Sequence, residues 1–313
     1  MTTAAVLLAV AAWITFAVIA PRLARRLPPA AATVGLTAGS VVIAGSSIVM
    51  IAMLTAPWIA QLPEVVELGP WSATKLRAGS PIPVAAAVAC AALVGVAFVR
   101  LAVTGWRRAT AMAAVHRCCQ HLPATDANLV IVDSERPDAF ATPLPSGRIV
   151  VTSGLLRALS ADERRALLAH ERAHLKHCHA WWILATELAA ATNPLLRPSA
   201  RAVRRAVERW ADEEAAAAVG DRTLIARTIA RAALLISSGQ QVPAMAATGG
   251  DVPDRVRALL TAPPRRRLLP VLGMIAMLVL TLSAGAGVHD STDTVFDHAV
   301  VSEAQCSPRH DGC

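Results

Sequence analysis

The chain has 313 residues, 55% hydrophobic and 17% charged, with a mean hydropathy of +0.49. About 25% charged is ordinary for a soluble domain, so the composition excludes a disordered chain and argues against a purely soluble globule. Lys plus Arg number 30 against 22 Asp plus Glu, a net charge of +8; that balance suggests nucleic acid unless the cations flank membrane helices.

Four runs are long enough to cross a bilayer, which takes about 20 apolar residues: residues 3–20, 34–54, 82–103 and 268–288. The first has no basic stretch before it and Arg22, Arg25 and Arg26 after it, so it reads as a retained helix rather than a cleaved leader. Arg100, Arg107, Arg108 and Arg117 flank the third run, and Arg265, Arg266 and Arg267 precede the fourth. Asp290, Asp293, Asp297 and Glu303 follow it. Cations collect on cytoplasmic flanks, so the expected topology has the N-terminus and the tail at 289–313 outside and residues 104–267 in the cytoplasm. Cys306 and Cys313 then fall on the oxidising side, where a small disulfide is one option. Trp13, Trp58, Trp71 and Trp106 lie near the boundaries, as interfacial anchors do. A Gly35–x–x–x–Gly39 spacing permits close helix approach, and residues 237–253 resemble a linker.

Between the third and fourth runs the pattern changes. Val and Ile mark short strands at 128–133 and 148–152, with Pro143, Pro145 and Gly147 between them. Ser160-Ala-Asp-Glu163 fits a capping box opening a helix. That helix carries His170-Glu-Arg-Ala-His174. Histidines at i and i+4 share a face, so both imidazoles reach one metal, and Glu171 stands beside them as a general base. A second helix at 199–219 offers Glu208 as a third ligand and Asp212, one turn on, to orient a ligand histidine; the alternative is a solvated acidic face. The apolar stretch 181–196 reads as a buried or membrane-resting hairpin, because a crossing would separate His174 from Glu208. His177 and His179 are candidate substrate or oxyanion contacts, or polar residues at a helix end.

The runs Pro137-Asp-Ala-Phe-Ala-Thr142, Arg148-Ile-Val-Val-Thr-Ser-Gly-Leu-Leu156, His170-Glu-x-x-His174 and Glu208-x-x-Ala-Asp212 resemble the integral-membrane gluzincin peptidases. These include HtpX-like proteases, CAAX prenyl endopeptidases and the beta-lactam sensor-transducers (BlaR/MecR-like antirepressor peptidases). Three apolar runs before the motif and one after, with Arg255-Val-Arg-Ala-Leu-Leu260 ahead of the last, look most like the sensor-transducers. The resemblance implies a mainly α membrane protein with a cytoplasmic α+β zincin-type domain between its third and fourth membrane helices. It implies one Zn2+ on His170, His174 and Glu208, Glu171 as base, Asp212 behind a ligand, and the edge of residues 148–152 (Arg148, Val150, Thr152) as the seat of an extended substrate. Asp138 stands where many relatives carry Asn, and the tail is too short for a penicillin-binding sensor domain. The expected activity is endoproteolysis of a cytoplasmic or membrane protein at the bilayer. A transcriptional repressor would be the regulatory substrate, HtpX-like quality control the competing role, and a catalytically silent receptor the non-enzymatic one; direct nucleic-acid binding is not expected.

Overall fold

The computed structural model describes residues 2–80, 82–120, 128–142, 147–238, 251–262 and 268–300. Cys306 and Cys313, Pro143 and Pro145, the Arg265, Arg266 and Arg267 flank and most of the linker at 237–253 lie outside these residues. In chain order, α1 (Thr2–Ala24) and α2 (Pro29–Ile59) are followed by the short α3 (Pro63–Val66) and α4 (Ala73–Gly79) and the long α5 (Val84–Gln120). Strands β1 (Leu129–Val132), β2 (Ala139–Ala141) and β3 (Ile149–Thr152) come next. Then follow α6 (Ser153–Ala158), α7 (Ala161–Lys176), α8 (His179–Thr192), a 3-10 turn at Pro194–Leu196, α9 (Arg197–Val219) and α10 (Arg222–Ser238). The last described helices are α11 (Val252–Leu260) and α12 (Leu268–Ala299).

Among the described residues, α1, α2, α5 and α12 are long and apolar enough to cross a membrane, matching the four apolar runs. The helices outrun the hydropathy: α5 continues unbroken past Val103 to Gln120, and α12 past Val288 to Ala299. Phe16 of α1, Leu36 and Ile43 of α2, and Met274 of α12 share one core. Gly39 lets α1 close in, since a Cβ there would lie 2.4 Å from the Phe16 ring. Of the four boundary tryptophans, Trp13 is buried in this core. Trp58 and Trp71 donate to the Ile82 and Ala60 carbonyls, and Trp106 is exposed.

The apolar stretch at 181–196 is a hairpin. α8 runs out, turns at Asn193 and returns as α9, and its inner face (Ala189, Ala190, Leu196, Val203, Val207) belongs to the core of α1 and α2. The Asn193 amide lies 3.5 Å from Ser47 Oγ on α2. Arg100 of α5 donates to the Ala191 carbonyl at 2.9 Å, filling one of the acceptors that a helix end leaves open. Glu187 of α8 sits 2.7 Å from Arg108 of α5 and also pairs with Arg204 of α9. The hairpin therefore returns the chain to the side from which it left, and α7 and α9 lie together.

The sheet runs in the order β1-β3-β2, with β1 parallel and β2 antiparallel to β3. Ile149 and Val151 face Leu155, Leu159 and Leu167, and Val150 faces Val130 and Cys119 at the end of α5. This corrects the expectation for residues 148–152. β3 is the middle strand, buried along its whole length, and has no free edge to offer. Among the described residues the open edge beside α7 belongs to β2, a strand of only three residues.

Candidate metal centre

α7 opens with the expected capping box. Ser160 Oγ accepts from the Glu163 amide at 3.3 Å, and Glu163 Oε2 accepts from the Ser160 amide at 2.9 Å. This satisfies donors that a helix start leaves unpaired; on the helix so opened, His170 and His174, one turn apart, share a face. Their Nε2 atoms stand 3.2 Å apart. Glu208 of α9 places one carboxylate oxygen 3.7 Å from His170 Nε2 and the other 3.9 Å from His174 Nε2.

These three residues fit a divalent metal. Ligand atoms bonded at about 2.0–2.1 Å in a tetrahedron lie roughly 3.3 Å from one another, close to the spacings observed. Two imidazoles and a carboxylate also form a donor set suited to zinc. Behind the set, Asp212 is 2% exposed, and its Oδ1 lies 3.0 Å from His170 Nδ1. Arg255 of α11 grips Asp212 with Nε and Nη2 at 2.8 and 2.7 Å and reaches Glu208 at 3.1 Å. Asp212 thus joins a ligand histidine to a buried guanidinium.

The electrostatics have the character of a cation site. Burial opposes a charge on His170, but Asp212 and Glu208 outweigh it and raise the imidazole to about 10. Burial likewise opposes ionisation of Glu208 and Asp212, yet His170 and Arg255 hold both below the usual carboxylate range. Burial and the neighbouring charge on His170 lower His174 to about 4. Glu171, 7% exposed, is pushed up by burial, with Glu208 and Asp138 adding to the shift while His170 and Arg255 oppose it. A carboxylate so placed is a better proton acceptor than one in water.

The site opens on a cleft of about 330 Å³ lined by β2 (Phe140, Ala141), α7 (Glu171, Leu175), the start of α8 (Trp181, Ile183) and Glu208. His179 lines it too, 1% exposed. Other expected contacts lie elsewhere. His177 turns to Glu214, 3.4 Å away, and packs on the Trp210 ring. The Arg148 guanidinium donates to the Cys119 carbonyl. Val150 is buried, and Thr152 Oγ1 accepts from the amides of Asp138 and Leu155. Arg148, Val150 and Thr152 therefore hold the sheet together instead of meeting a substrate. Arg255 is the site residue that motif spacing does not announce: in the sequence it stands 43 residues beyond Asp212, and the contacts of α11 supply its role.

Residues 104–192 match the profile of Peptidase family M48. The stretch holds His170, Glu171 and His174 and ends before Glu208. A protease HtpX homolog of Aeropyrum pernix is 47% identical over 62 residues, 19% of this chain and 19% of that protein. One of Thermodesulfovibrio yellowstonii is 40% identical over 65 residues, 20% of this chain and 23% of that protein. One of Thermoplasma acidophilum is 43% identical over 60 residues, 18% and 19%. The chain thus spans about a fifth of the length of the curated relatives it matches. No solved structure matches.

Proposed function

We propose that the chain is a membrane-embedded, zinc-dependent endopeptidase whose active site is the cleft at His170, Glu171, His174 and Glu208. The observation that carries this reading is the convergence of three metal-fitting donors and a buried carboxylate beside the open edge of β2. Zinc supplies Lewis acidity to a carbonyl and to water. Glu171 takes the proton of the attacking water and passes it to the leaving amine. Asp212, held by Arg255, keeps His170 Nε2 turned toward the other donors. An extended substrate adds as a strand to β2, with Phe140 and Trp181, both exposed, on the cleft walls.

The cations at 100–117 and 265–267 support a cytoplasmic cleft, with the N-terminus and the tail outside. Two substrates compete. The Arg255–Leu260 run supports cleavage of a cytoplasmic repressor, while the likeness to HtpX homologs fits quality control of membrane proteins at least as well. The presence of Glu171 speaks against a silent receptor, which needs no base. Comparing peptide termini in cells carrying the wild type and Glu171→Gln tests the proposal. Termini that depend on Glu171, with metal content unchanged in the variant, are expected. An active Glu171→Gln protein refutes it. Cuts confined to one soluble protein would mark the regulatory role, and cuts across many membrane proteins the quality-control role.

A further inference from the structure

The two histidine ligands are held from behind by different chemistry. His170 has the Asp212 carboxylate at its Nδ1. The Nδ1 of His174 instead lies 3.0 Å from Nδ1 of another imidazole, that of His179. Two bare ring nitrogens do not approach so closely; one must carry the proton that the other accepts. His174 turns Nε2 toward His170 and Glu208, and a neutral imidazole ligating through Nε2 carries its proton on Nδ1.

The backbone is bent to make this contact. Cys178, between α7 and α8, has φ 52° and ψ 42°, the left-handed region that a residue with a Cβ rarely adopts. Such conformations persist where the surroundings enforce them. The bend lets α8 begin at once and folds His179, its first residue, back onto the helix that carries His174. The rings meet edge to face, 4.9 Å between centroids. His179 is buried against the Trp210 ring, 4.9 Å between centroids; its Nε2 finds no hydrogen-bond partner among the described residues, so its polar contact is the one at Nδ1, to His174.

We propose that His179 is a positioning residue: its Nδ1 accepts the Nδ1–H of His174 and so fixes the tautomer and ring orientation in which His174 presents Nε2 to the metal. The inference rests on the metal reading of the site above. It gives the Nδ1 of His179 a ligand histidine as its partner, while Nε2 remains on the cleft side. The site is consequently asymmetric, with an anion behind one ligand and a neutral ring behind the other.

The test uses the full-length protein in detergent and measures zinc affinity by competition with a chromophoric chelator. His179→Ala removes the acceptor and should weaken zinc binding about 10- to 100-fold, the usual loss when a partner behind a ligand is removed. His179→Asn sets Oδ1 where Nδ1 stood and should hold affinity within about threefold of wild type. The visible spectrum of the Co(II)-loaded protein should follow the same order, unchanged in Asn and altered in Ala. Wild-type affinity in His179→Ala overturns the proposal, as does equal weakening in Ala and Asn, which marks packing alone. A wild type that takes up no zinc defeats the metal reading itself; a wild type that binds zinc with indifference to residue 179 defeats only this inference.

Discussion

Replacing Arg255 with Met keeps most of the aliphatic stem and removes the guanidinium. The side chain is 13% exposed and Asp212 is 2% exposed, so solvent does little to screen what is left. Arg255 makes two contacts to Asp212, at 2.7 and 2.8 Å, and one to Glu208 at 3.1 Å. At an effective dielectric of about 20, unit charges roughly 4 Å apart interact by about 4 kcal/mol, and removing one partner of a buried pair costs about 3–5 kcal/mol. At about 2–4 °C per kcal/mol for a unit of 150–250 residues, the metal-free protein should melt roughly 6–20 °C lower. A bound metal returns a cation to the same carboxylates, so excess zinc should recover part of the loss. Thermal unfolding with chelator and with zinc measures both effects. A cycle with Asp212→Asn should show a coupling of at least about 1 kcal/mol. A shift under about 2 °C without metal, or full additivity with Asp212→Asn, would refute the claim that Arg255 balances these carboxylates.

Two further outcomes follow from features away from the metal ligands. The Ser160 backbone and Arg231 hold the carboxyl of Glu163 below its ordinary value, so its contribution is present above the unfolded-state pKa of about 4.3 and fades as pH falls through the lower folded-state value. Glu163→Gln should therefore lower the melting temperature most near neutral pH, and the gap from wild type should close in acid; a gap constant with pH contradicts this. At Gly154 a Cβ would stand 2.4 Å from the Glu135 carbonyl oxygen, a backbone atom that cannot swing aside. Gly154→Ala should cost about 1–3 kcal/mol, typical of overpacking, whereas Gly45→Ala, with nothing within 4 Å of the new Cβ, should not destabilise; denaturant titration compares them.

The parts of the site that follow from helical spacing were legible in the sequence. His170, Glu171 and His174 sit on α7, opened by the capping box their own sequence predicts, and Glu208 and Asp212 on α9 occupy the places that i, i+4 spacing suggests. The hairpin was legible by a different route, since a shared metal forbids a crossing between His174 and Glu208. Strand order was not. Ala139–Ala141 has three residues and little β signal, and nothing local says that it, rather than β1, flanks β3 on the side of α7. Arg255 was hidden for a similar reason. It is one of 30 cations, on a separate helix, and only the docking of α11 against α9 reveals its partners. The run of α5 beyond Val103 was missed because hydropathy falls there while helix-forming residues continue.

α9 has two occupations. Its middle supplies Glu208 and Asp212, and its first half is wedged with α8 against α1 and α2, the turn before it held by Asn193 to Ser47 and by Arg100 to Ala191. The centre therefore has no independent existence as an excisable fragment. A truncation beginning after α2 would strip α8 and α9 of the apolar face against which Leu196, Val203 and Val207 pack, the last of them next to Glu208 in the chain.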